Sequence, residues 1–168
     1  TDGDGKLYEF SWDGSVGGGT VAISPTLTVG VTSSALTAGQ SLGLTATYRD
    51  ASGAPVPGTA VTFVVASGSG RLSQAGGVTD TFGTVSSTYT SPTGAVGAVT
   101  VKVTAGGISV SLTIEVTVEV QPSLGATVVA VSDSRTQVVV PPGAVGEMVK
   151  VGIKRQVDLY TTTAALVD

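Results

Sequence analysis

Residues 108–120 read Ile-Ser-Val-Ser-Leu-Thr-Ile-Glu-Val-Thr-Val-Glu-Val, an unbroken alternation of apolar and polar side chains. A period of two puts every apolar side chain of an extended strand on one face, whereas a helix with 3.6 residues per turn would scatter the same residues around its circumference. The segment is therefore a strand with one dry face, and the rest of the chain must supply an apolar layer opposite it. Shorter runs of the same alternation recur from Thr26 onward with turn residues between them, at 27–32, 42–49, 60–66, 71–73, 77–80, 84–90 and 98–104. No stripe of helical period accompanies them. The pattern predicts an all-β fold, two sheets packed as a sandwich.

Alternation also assigns the faces. Leu42, Leu44, Ala46 and Tyr48 should point inward against Val61, Phe63 and Val65, with Val99, Val101 and Val103 beside them. On the long strand, Ile108, Val110, Leu112, Ile114, Val116 and Val118 share one side, and Ser109, Ser111, Thr113, Glu115, Thr117 and Glu119 the other.

Composition removes several classes of function. The chain has no Cys and no His, so disulfides, thiolate metal sites, Cys nucleophiles, a Ser-His-Asp triad and a His-based zinc site are all impossible. It has no Asn either, which removes N-glycan acceptors and Lys-Asn cross-links and leaves only a Lys-Asp cross-link formally open. Eight Lys and Arg against twelve Asp and Glu, scattered singly, give a formal net charge of −4, and a nucleic-acid binder would need the opposite balance. No apolar run reaches the roughly 18 residues needed to span a bilayer. Charged residues are only 12% and mean hydropathy is +0.40, so either the β core is unusually continuous or a neighbour covers an apolar edge.

The stretch Asp50-Ala51-Ser52-Gly53-Ala54-Pro55-Val56-Pro57-Gly58-Thr59-Ala60-Val61-Thr62-Phe63 is a stiff turn running into a strand. Asp, Ser and Gly supply turn conformations, and the prolines fix φ and remove donors. Asp50 and Asp80 both stand where a carboxylate accepts backbone N–H groups two residues on, a capping role rather than a catalytic one. A glycosidase pair would need a set separation across a cleft and one carboxyl in an apolar setting.

This stretch resembles the B-C connection of the bacterial immunoglobulin-like domains, group 1, found in invasin and intimin. Further pieces follow in the family's order: Val61-Thr62-Phe63, then Ser67-Gly68-Ser69-Gly70-Arg71-Leu72-Ser73, Thr79-Asp80-Thr81-Phe82-Gly83-Thr84-Val85, and the strand at 98–104. The resemblance covers about residues 27–118. It departs at Ala51 and Ser52, where the family usually has Asn, and in the Gly- and Pro-rich segment 91–97. It implies an immunoglobulin-like β-sandwich with no enzymatic activity, extracellular or at the cell surface, that links other protein modules. Copies of itself through β-strand edges are a second expected partner, from the excess apolarity, the long amphipathic strand and the incomplete C-terminal piece, and a host or glycan receptor a third, from Trp12 and the loops.

The flanks read differently. Residues 1–25 hold an N-terminal strand segment and the Gly17-Gly18-Gly19 hinge, 26–120 the sandwich, and 121–168 a partial second β module with runs at 127–131, 136–140 and 148–157. Those last 48 residues are too few for an independent sandwich. The beginning at Thr1, with no basic segment leading into an apolar one, reads as processing or excision. Segment 2–14 is similar to one repeat edge of a surface β-propeller. Asp2, Asp4 and Asp13 make a calcium candidate, because carboxylates spaced in a glycine turn suit a hard cation, although the twelve-residue loop lacks its closing Glu. A solvated, metal-free acidic turn is the expectation there, and no cofactor is expected elsewhere.

Tyr8, Phe10 and Trp12 share a strand face, which points to burial rather than to a sugar-stacking platform. The unfinished C-terminal sheet, in the same chain or the next, is their expected partner. Three functions follow for the whole: a structural spacer of an exported bacterial surface protein or adhesin, a self-assembling filament or sheath subunit held by strand complementation, or a glycan- or receptor-binding module.

Overall fold

In the computed structural model the described residues are 24–154, and they contain twelve strands and no helix. The readings placed on Asp2, Asp4, Asp13, Tyr8, Phe10 and Trp12, on the hinge, and on positions past 154 lie outside the described residues.

The strands are β1 (Thr26–Val31), β2 (Ala35–Thr37), β3 (Ser41–Arg49), β4 (Ala60–Ser67), β5 (Arg71–Leu72), β6 (Gly76–Val78), β7 (Thr84–Thr90), β8 (Ala95–Ala105), β9 (Ile108–Val120), β10 (Ala126–Ala130), β11 (Asp133–Val140) and β12 (Val149–Val151). One sheet has the order β1-β3-β7-β5. The other runs β11-β10-β8-β4-β6, with β9 paired to β8, to β2 and to β12. β8 and β9 form an antiparallel hairpin closed by the two-residue turn Gly106-Gly107, both at positive φ, the geometry whose twist matches the flanking strands.

Sheet faces follow the alternation. Leu42, Leu44, Ala46 and Tyr48 from β3 lie in one buried cluster with Val61 and Phe63 from β4, Val99, Val101 and Val103 from β8, and Ile114 and Val116 from β9. Val65 is only half-buried, at the point where the β4–β8 register shifts before Ser67. Tyr89 is fully buried, and its hydroxyl donates to Ser69 O at 2.6 Å, which satisfies the one polar atom it takes into the core. Burial also pushes its phenol pKa up.

Differences from the expected boundaries have local causes. β2 has no counterpart in the alternation because it is three residues long; after β1 the chain crosses to the other sheet and runs parallel to residues 115–117 of β9. Ser33 marks the crossing, its hydroxyl accepting from Ala35 N at 3.1 Å. β6 ends at Val78 rather than at 80, since Thr79 binds the Pro55–Thr59 segment and Asp80 serves the next turn. β8 starts at Ala95, inside the Gly- and Pro-rich segment 91–97, because its first two residues pair in parallel with Val129 and Ala130 of β10.

Beyond Val120 the chain stays hydrogen-bonded to the sandwich sheet. β10 meets β8, and β12 pairs antiparallel with residues 118–120 of β9. Val96, Val120, Val128 and Ala130 are buried there. β11 differs from every other long strand: it lies at the end of its sheet, and seven of its eight residues are exposed.

Phe63 is 1% exposed at the centre of the core. Phe63→Ala is expected to lower the unfolding free energy by about 3–5 kcal/mol, measured by urea titration; a loss below about 1 kcal/mol would mean that the ring contributes little packing.

Candidate functional site

The sandwich has two ends, and the chain uses them differently. Thr26 pairs with Arg49, so the chain enters at the end where β3 finishes and where the Gly106-Gly107 turn closes β8 and β9. It leaves at the opposite end, past Val120. The entry end is built from three connections held by side-chain hydrogen bonds.

The first is the turn at Asp50. Its Oδ1 accepts Ser52 N at 2.8 Å, Ala54 N at 3.0 Å and the Ser52 hydroxyl at 2.6 Å, while Gly53 N donates to Asp50 O at 3.0 Å. Asp80 builds the same turn again. Its Oδ1 accepts Phe82 N and Thr84 N, both at 2.9 Å, its Oδ2 accepts the Thr84 hydroxyl at 2.8 Å, and Gly83 N donates to Asp80 O at 3.0 Å. Gly53 and Gly83 occupy the same position in the two Asp-x-x-Gly turns, with φ of 84° and 74°. The second copy packs against the first strand end, since Tyr48 N donates to Gly83 O at 2.8 Å.

The third connection is the Pro55–Thr59 segment, and Thr79 ties it down. The Thr79 side chain is 3% exposed; its hydroxyl donates to Val56 O at 2.6 Å and accepts Thr59 N at 2.9 Å. Its backbone closes the link, with Gly58 N on Thr79 O at 2.8 Å and Thr79 N on Thr59 O at 3.0 Å. Alternation alone gives no hint of this role, because Thr79 reads as one more strand residue. Ser91 does comparable work at the opposite end of β7, where its buried hydroxyl accepts Gly39 N at 3.0 Å.

Chemically these groups are spent. Asp50 is half-buried and Asp80 exposed, and hydrogen bonds to their carboxylates hold both pKa values below the usual carboxylate range. The leading cause is the Ser52 hydroxyl for Asp50 and the Thr84 N–H for Asp80. Neither Asp has the apolar setting of a general acid. Among the described residues no three acidic side chains gather as metal ligands. An open cleft of about 490 Å³ is lined by Gly70, Arg71, Thr90, Ser91 and Pro92, which offers one cation and no nucleophile with a base. A second cleft, about 390 Å³, lies where Gly97, Glu115 and Val116 meet Ile153 and Lys154.

Two measurements test the entry end. A Cβ on Gly53 would meet nothing, whereas one on Gly83 would run into Tyr48 O and Pro55. Gly53→Ala should therefore cost about 1–2 kcal/mol for the left-handed backbone alone, and Gly83→Ala about 2–5 kcal/mol once overpacking is added; equal losses in urea unfolding would contradict the packing described.

The second measurement is pH dependence. Carboxyl pKa values lowered by folding give stability that is complete above the unfolded value and is lost as pH falls through the folded ones. The urea midpoint should thus be level down to about pH 5 and decline below about pH 4. Asp80→Asn should start lower at neutral pH and decline less steeply in acid. An identical acid slope would show that Asp80 carries no linked proton.

Comparison with known proteins fits this geometry. The family model described as bacterial Ig-like domain (group 1) matches residues 24–120, slightly beyond the 27–118 read from the sequence. No curated protein matches the chain. Among solved structures, the D00-D0 domain of intimin shares 20% identity at a TM-score of 0.47, over 58% of this chain and 48% of that one. The C-terminal 282-residue intimin fragment in complex with the intimin-binding domain of the translocated intimin receptor shares 18% at 0.48, over 69% and 56%. The Yersinia pseudotuberculosis adhesin InvE shares 21% at 0.48, over 61% and 33%. The chain thus spans about half or less of the structures it resembles. Bacterial Ig-like domains of this group are non-enzymatic modules. With more than half of its length matched by the family model, this all-β chain belongs to the group 1 bacterial Ig-like domain family.

Proposed function

We propose that the chain is a structural spacer of an exported bacterial surface protein or adhesin, located outside the cell or at its surface, with neighbouring protein modules as its partners. In this reading residues 26–120 are the sandwich, 1–25 a terminal strand segment and hinge, and 121–168 a partial second β module. One observation carries it. The chain enters and leaves at opposite ends of the sandwich, separated along β8 by about 33 Å at roughly 3.3 Å per residue. A unit threaded end to end adds length, and the side-chain-locked turns of the entry end keep that length fixed.

A second reading, a filament or sheath subunit joined by strand complementation, draws on β11. An edge strand exposed on both faces, with Val138 and Val139 at 42% and 64%, offers unpaired backbone groups to another strand. Receptor binding of the kind captured in the intimin complex comes to this chain by analogy alone.

Small-angle X-ray scattering and electron microscopy of the intact chain separate the two main readings. The spacer predicts dispersed, elongated monomers whose scattering does not change with concentration. Regular fibres would replace it with the filament.

A further inference from the structure

Segment 91–97, Ser-Pro-Thr-Gly-Ala-Val-Gly, is where the chain departs from the family pattern, and it is also where the sandwich meets residues beyond Val120. Gly94 O accepts Val129 N at 2.9 Å, and Val96 O accepts Val131 N at 2.8 Å. Gly97 is buried at a φ of 125°, in the half of φ space that favours glycine. A Cβ there would come within 3.1 Å of both Ile153 O and the Val131 side chain. The missing side chain is what lets two separate stretches of the following segment close on β8.

Buried apolar side chains stand on both sides of position 120. Val131 belongs to the main core cluster, although it lies past the end of the unit that the family model matches. Val96 and Val120 on the sandwich side, and Val128 and Ala130 on β10, are buried outside that cluster, and Val96 is the register partner of Ala130. The β10–β11 hairpin cannot supply this burial by itself, because β11 is exposed almost throughout and an isolated two-stranded hairpin is marginal in water. β12 adds a second attachment, pairing Val149, Lys150 and Val151 with Val120, Glu119 and Val118 of β9. The segment is thus held on two neighbouring strands at once, and a rotation about the chain at 120–121 would break both attachments.

We infer that residues 121–154 are a strap locked across the end of the sandwich past Val120, so that residues 24–154 open and reorient as one body with no hinge at 120–121. The end of the family unit is then a boundary of sequence and not of folding. This goes beyond the spacer reading and does not rest on it: a hinge at 120–121 would sink the strap and leave a flexible spacer standing.

Amide hydrogen exchange of the intact chain, followed residue by residue by NMR, reads the coupling directly, because a part that opens alone loses protection alone. The N–H groups of Val129 and Val131 should exchange within about tenfold of the slowest amides of β3 and β7. Val128→Ala removes buried methyl groups outside the matched family unit, and it should speed the slow amides of β3, β7 and β10 by one common factor, about tenfold or more. Residual dipolar couplings from 24–120 and from 121–154 should fit a single alignment tensor. Exchange at Val129 and Val131 faster than that bound, a Val128→Ala effect absent or confined to β10 and β11, or two distinct tensors would each overturn the inference. Should Val128→Ala not fold, the exchange pattern and the couplings of the unsubstituted chain still decide it.

Discussion

The pairing of β8 with β9 is the constraint on which the remaining structure hangs. Its register sets Val99 opposite Ile114, Val101 opposite Leu112 and Val103 opposite Val110, so that both strands present their apolar residues to the same side. A slip of one residue would turn one strand's valines to water and its threonines and serines inward. Because β4, β10, β2 and β12 each hydrogen-bond to one of these two strands, the slip would reach every one of them. The other sheet supplies the opposite layer, Leu42, Leu44, Ala46 and Tyr89, but sets no register for the C-terminal segment.

What was legible in the sequence was what repeats. The long alternation at 108–120 fixed a strand to the residue, and the inward faces of β3, β4 and β8 followed from the same period. Asp50 and Asp80 were legible as turn caps because Asp followed by Gly at the third position has few other uses. The hidden parts are single residues that act across the fold. Thr79 reaches Val56 and Ser91 reaches Gly39, contacts between positions 23 and 52 residues apart that no local pattern encodes. β2 was invisible because three residues cannot show a period, and the start of β8 because its partner residues in β10 come 34 residues later.

The departures from the family pattern at Ala51 and Ser52 also acquire a physical account. Ser52 places its hydroxyl 2.6 Å from Asp50 Oδ1, so the carboxylate gains a third donor inside the turn itself. Ala51 contributes no side-chain bond, and the turn closes through Asp50, Ser52, Gly53 and Ala54. The entry end therefore keeps the architecture with different local chemistry, and its rigidity draws on hydrogen bonds to Asp50, Asp80 and Thr79 together with the close packing of Gly83 on Tyr48 and Pro55.

The short strand β2 has a consequence under tension. It runs in the same direction as β9, and its three residues pair with 115–117 just before the chain leaves the sandwich. A pull on the two termini drags β2 toward the entry end and β9 toward the exit, so the bonds between them, and Ala38 N on Thr117 O at 2.8 Å, are loaded together in shear instead of being peeled one at a time. Resistance to force is then set by the rate of unfolding rather than by equilibrium stability. A patch of three residues, negligible in the hydrophobic core, becomes the mechanical clasp of the module.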